Sequence, residues 1–208
     1  PGLEVPDGVL VIDGKGKHVT PGLIDCHSHS AISRGINEGS HAVTCEVRVG
    51  DVVSPTAIAL YRELAGGLTT ASLLHGSANP IGGQNAVIKL RWGSPPEKLK
   101  LDGAPEGIKF ALGENVKRSN FNTDIKRYPQ TRMGVEQFMR DAFFDALDYR
   151  EEHQRYQKLR SKAKRQAIPP RRDLTHDALL EIIDGKRLLH CHSYRQDEIL
   201  MLIRLAES

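Results

Sequence analysis

The sequence predicts an α/β protein in which parallel strands are joined by crossover helices. Short apolar runs of strand length alternate with longer stretches whose apolar residues recur every three or four positions. Glycines, prolines and small polar residues punctuate the joints between them. A length of 208 residues, with 39% hydrophobic and 26% charged residues, suits a globular chain able to bury a core.

The elements follow in order. Val-Leu-Val-Ile-Asp at residues 9–13, with Gly-Lys-Gly-Lys after it, reads as a short strand and turn. A strand over 22–27 leads to His27 and His29, and a loop rich in Gly, Ser and Asn fills 30–53. Residues 55–66 read as a helix, with Ser54 as cap, Pro55 in the first turn, and Ile58, Tyr61, Leu64 and Ala65 at helical spacing. Gly66 and Gly67 stop it before a strand at 68–74. The loop 75–84 has several glycines but no Lys-Ser/Thr pair, so it is not a phosphate-binding P-loop. Strands follow at 86–90 and 107–112.

Val135, Phe138, Met139, Ala142, Phe143, Ala146 and Leu147 mark an amphipathic helix within 134–165, ended by Pro169 and Pro170. A helix at 174–184, a strand at 187–192 and a helix at 196–207 complete the pattern. The count of sheet strands is about five: 22–27, 68–74, 86–90, 107–112 and 187–192.

A net charge of +3 is too small to point to nucleic acid. The eight Lys or Arg residues between Arg155 and Arg172 read as a solvated helix face, without the interleaved aromatics of single-strand binders. No apolar run approaches a membrane span, so neither a nucleic acid nor a membrane is expected as partner. Cys26, Cys45 and Cys191 lack zinc-ribbon spacing and read as small structural residues that leave the compartment open, cytoplasmic or periplasmic.

Chemistry concentrates at Val-Thr-Pro-Gly-Leu-Ile-Asp-Cys-His-Ser-His, residues 19–29. In a strand His27 and His29 point to one face, and two neutral imidazoles there are good ligands for a divalent ion. Asp25 precedes them. This segment resembles the first barrel strand of the amidohydrolase superfamily, whose hallmark is Pro-Gly-(Phe/Leu)-(Ile/Val)-Asp-X-His-X-His.

The resemblance implies the N-terminal part of a (β/α)8 TIM-type barrel, about five of its eight strands, preceded by the remnant of a small β-sandwich. Residues 1–20 would be the sandwich end and the lead into the barrel, and 21–208 the partial barrel, with a helical basic insertion at 116–176. It also implies ligands from the C-terminal ends of distant strands. Ile108-Lys109-Phe110 is similar to the strand-four setting in which a lysine becomes a carbamate that can bridge two metals. Glu114 is the alternative oxygen ligand. Periodicity leaves His190 and His192 open, since they share a strand face. The resemblance of His192-Ser-Tyr to the strand-five segment of prolidase-like and imidazolonepropionase-like members selects His192 as the ligand, with His190 beside it.

The expected metal set is thus His27, His29, Lys109 and His192, holding one or two divalent ions, zinc first. His75, Asn79 and Gln84 are expected to shape the substrate pocket, and Tyr194 and Arg195 to meet a substrate carboxylate or carbonyl. The implied reaction is hydrolysis of an amide-type C–N bond, in a cyclic amide, an N-acyl amino acid or a dipeptide, by metal-activated water. The catalytic acid/base would be a strand-eight aspartate beyond residue 208.

Gly-Ser-Ala-Asn-Pro-Ile-Gly-Gly-Gln and Gly-Ile-Lys-Phe-Ala-Leu-Gly-Glu-Asn resemble the bacterial imidazolonepropionase-related group most. The expected partners are the small amide or peptide substrate and either the missing C-terminal barrel half or another copy of the chain, in a homo-oligomer. The competing class is an incomplete or degenerate barrel acting as a structural or binding piece without catalysis.

Overall fold

The computed structural model describes residues 4–117 and 127–208. Residues 1–3, and the part of the expected insertion at 118–126, lie outside the described residues. The protein is a mixed α/β structure with two three-stranded sheets. In the first, β1 (Leu23–Ser28) runs parallel to β2 (Leu68–Leu73), and β2 pairs antiparallel with β4 (Ala86–Lys89). In the second, β3 (Ile81–Gln84) pairs antiparallel with β5 (Gly107–Ala111), and β5 runs parallel to β6 (Leu188–His192). The chain steps from one sheet to the other at Asn85, whose N–H donates to Gly107 O at 2.9 Å.

Two strand expectations need correction. The strand at 86–90 is present but antiparallel to its neighbour. A parallel return usually runs through a crossover helix, whereas residues 74–85 hold a loop and β3. The run at 9–13 forms no strand, and Leu10 and Ile12 are 87% and 81% exposed. Strand residues need a paired neighbour, and these have none among the described residues.

Helix α1 (Ile58–Ala65) starts later than expected. Ser54 does not cap it; its carbonyl instead accepts the Ala57 N–H in a turn. After the short α2 (Pro96–Leu99), the long α3 (Arg132–Lys158) buries Gly134, Val135, Met139 and Ala146. It ends at Leu159, and a separate short helix, α4 (Ser161–Gln166), follows. Helix α5 (Leu174–Ile183) is capped by Asp173, whose carboxylate accepts the N–H groups of Thr175 and His176. Helix α6 (Gln196–Glu207) follows β6.

One core packs α3 and α5 against β5 through Phe110, Leu112, Val135, Met139 and Leu179. A second joins α1 to the first sheet through Leu60, Ala71, Leu73 and Ile88. Removing the buried Phe110 ring would cost about 3–5 kcal/mol. Leu23 and Ile24 on β1 and Leu188 on β6 remain exposed.

Candidate functional site

Lys109 comes from the middle of β5, where every residue is buried, and is itself 1% exposed. It projects toward the end of β1, so the site lies where the two sheets meet. Its Nζ donates to His27 Nε2 at 3.1 Å. Burial holds the Lys109 pKa below the ordinary lysine value, because a charged amine loses its water there; the neighbouring Cys191 opposes this in part.

His27 and His29 meet edge to face, with ring centroids 5.1 Å apart. Asp25 Oδ1 accepts the His27 backbone N–H at 3.0 Å, which pins the strand end. His29 Nδ1 lies 2.8 Å from Leu74 O, an N–H···O=C bond that leaves the other ring nitrogen, Nε2, with its lone pair bare. The parallel register sets His190 beside Lys109 and His192 beside Ala111. Burial and then the Lys109 charge lower the pKa values of His27, His190 and His192. For His27, nearby His29 and His192 act in the same direction. The imidazoles around Lys109 are therefore disposed to be neutral, the form that binds metal. His192 Nε2 is buried with no hydrogen-bond partner.

Among the described residues, no three His, Cys, Asp or Glu side chains stand together as a ready-made metal cluster. The amine of Lys109 stands among the imidazoles instead. The structure thus gathers His27, His29, Lys109 and His192 into one neighbourhood.

The remaining expected site residues are committed elsewhere. The Glu114 carboxylate is held by Arg132 and, at 2.7 Å, by Lys117. His75 is 3% exposed and both its ring nitrogens face backbone: Nδ1 lies 2.8 Å from Gly76 O, and Nε2 accepts the Glu38 N–H at 2.7 Å. Burial is the first cause of its lowered pKa. Asn79 Nδ2 donates to Glu38 O and to Thr44 Oγ1, and Gln84 Nε2 donates to Cys45 O. These three side chains fasten the loop after β1. Arg195 is held by Asp197, and the Tyr194 hydroxyl accepts the Glu114 N–H at 2.7 Å.

Two participants were not evident in the sequence. Glu198, 6% exposed, accepts from Arg132 Nε at 3.0 Å and from the Gly113 N–H at 3.3 Å. Its place in the first turn of α6, after a strand-end histidine, was the available signal. Arg132 belongs to the insertion, and nothing in its sequence context tied it to the site.

No protein-family profile matches the chain. Among solved structures it is similar to an amidohydrolase from Thermotoga maritima MSB8, with a TM-score of 0.84 and 34% identity over 99% of this chain and 53% of that one. Among curated proteins it is similar to Amidohydrolase tasK of Hapsidospora irregularis, 32% identical over 160 residues, or 69% of this chain and 16% of that protein. These likenesses support the amidohydrolase family in general. The chain spans about half of the solved amidohydrolase and about a sixth of the curated one.

Proposed function

We propose that the whole protein is a metal-dependent hydrolase of amide-type C–N bonds, and that this chain supplies part of a (β/α)8 barrel and its metal-holding residues. The observation that carries the reading is the meeting of His27, His29 and Lys109 across two sheets. When bound, the divalent ion, zinc in our reading and one or two in number, would activate water and polarise the scissile carbonyl.

The residues fit that group. His29 gives its Nδ1–H to Leu74 O, the orienting bond that metal-ligating histidines make, and so aims Nε2. His192 brings a buried, unpartnered Nε2. His27 Nε2 faces the Lys109 amine, and conversion of that amine to a carbamate would free the His27 lone pair for a metal. Burial lowers the Lys109 pKa and so raises the share of neutral amine, the form that can add carbon dioxide with loss of a proton to give a carbamate. Glu114, tied to Arg132 and Lys117, is the weaker choice of oxygen ligand.

The acid/base aspartate would come from a later strand of the whole protein. The exposed Leu23, Ile24 and Leu188 on β1 and β6 support a further α/β segment, or another copy of the chain, against these strands. The imidazolonepropionase-related group is our preferred subgroup, on the residues around Asn79 and Lys109.

The test is metal analysis of the full-length protein, with hydrolysis assays on N-acyl amino acids, dipeptides and cyclic amides. Stoichiometric metal in the wild type, lost in the His27→Ala/His29→Ala double variant, is expected. Undiminished metal in that variant would refute the assignment.

A further inference from the structure

We infer that Tyr194 is a positioning residue for the His192 imidazole, and that Arg132 at the start of α3 braces the loop on which Tyr194 rests. The inference depends on the ligand role proposed for His192. Among the described residues the buried His192 Nε2 makes no hydrogen bond, so none fixes the ring from that side. What touches it is the ring of Tyr194, edge to face at 87° with centroids 5.6 Å apart.

Tyr194 is in turn seated at two points. Its hydroxyl accepts the Glu114 N–H at 2.7 Å. Its ring covers Gly113, where an added Cβ would lie 2.6 Å from Tyr194 Cζ and where φ is +81°. Gly113 is therefore glycine on both counts, backbone conformation and close approach.

The Gly113–Glu114 loop is itself gripped from two helices. Arg132 holds the Glu114 carboxylate and donates through Nε to Glu198 at 3.0 Å, while Glu198 accepts the Gly113 N–H. The insertion helix α3 and the helix after β6 thereby converge on the seat of Tyr194. A side chain expected to face substrate is spent on the orientation of a neighbouring ligand.

The experiment compares wild type, Tyr194→Ala, Tyr194→Phe, Arg132→Ala and Arg132→Lys by three readings. These are zinc affinity by chelator competition, long-range ¹H–¹⁵N NMR signals of the His192 ring in metal-free protein, and the midpoint of thermal unfolding. Tyr194→Ala should weaken zinc by about 10- to 100-fold and broaden or split the His192 signals, with little change in midpoint. Tyr194→Phe keeps the ring contact and should stay within about threefold of wild type. Arg132→Ala should reproduce part of the Tyr194→Ala effect, and Arg132→Lys should restore some of it.

Unchanged His192 signals in Tyr194→Ala would overturn the positioning role, whatever the zinc result. Sharp wild-type signals that broaden in Tyr194→Ala, in a protein taking up no zinc, would uphold positioning while sinking the ligand reading. Equal loss of midpoint and of His192 order in Tyr194→Phe and Tyr194→Ala would reduce Tyr194 to a structural role and overturn the inference.

Discussion

Lys109 and His27 are 82 residues apart in sequence, yet Nζ and Nε2 lie 3.1 Å from each other. The contact joins the second sheet to the first and makes Lys109 the charge that its neighbouring imidazoles sense. Lys109→Met should raise the pKa values of His27, His190 and His192, because the lysine charge lowers all three. The rise should be partial, since burial is the larger cause and persists. NMR pH titration of chelator-treated protein checks this; unmoved values would mean that Lys109 carries no charge at that site.

If Lys109 functions as a carbamate, Lys109→Ala should abolish hydrolysis, and short carboxylic acids should restore part of it. Growth with ¹³C-labelled bicarbonate should give the wild type a carbamate carbon signal that Lys109→Ala lacks. Full activity in Lys109→Ala would return attention to Glu114.

His75 predicts an acid-sensitive fold. Its folded pKa lies below the ordinary 6.5, so the unfolded chain binds the proton more readily. Where the unfolded state holds more protons, stability rises with pH. The metal-free protein should therefore lose stability as the pH falls through about 6.5, the loss levelling off below the folded pKa. Most carboxylates remain ionised above about pH 5, which separates the two effects. Urea unfolding at about pH 7 and pH 5 tests the slope, and His75→Gln should reduce it without abolishing it, since His27, His190 and His192 are shifted the same way.

Gly82 tests the packing around the same ring. A Cβ there would lie 2.8 Å from His75 Nδ1 and 3.0 Å from Lys109 O, and the second of these is backbone that cannot swing aside. Gly82→Ala should destabilise the protein by about 1–3 kcal/mol, read from the urea midpoint. A neutral result would mean that β3 can shift away from β5 without loss.

Much of the fold was legible because apolar runs bounded by glycine pick out strands whatever they pair with. β1, β2, β5 and β6 fall where those runs fall. β3 escaped notice because Ile81-Gly-Gly-Gln has two glycines and no alternation, and it is a strand only because β5 lies alongside. The direction of β4 depends on its route from β2, a long-range property that composition does not carry. At the site, His27 and His29 could be chosen by residue type and strand position, whereas Lys109 rested on the resemblance of Ile108-Lys109-Phe110 to a family setting. The commitments of Glu114, Asn79 and Gln84 could not, since each depends on a partner from another element.

The bond from His29 to Leu74 ends on a peptide carbonyl. Every amino acid carries that oxygen, so no substitution at position 74 can delete the acceptor. The direction of the His29 ring is thus guarded by main chain, while the 1% exposed Leu74 side chain answers only to packing. Sequence drift at this position can swap one apolar residue for another without redirecting the imidazole. The aim of His29 is in that sense heritable through the strand itself.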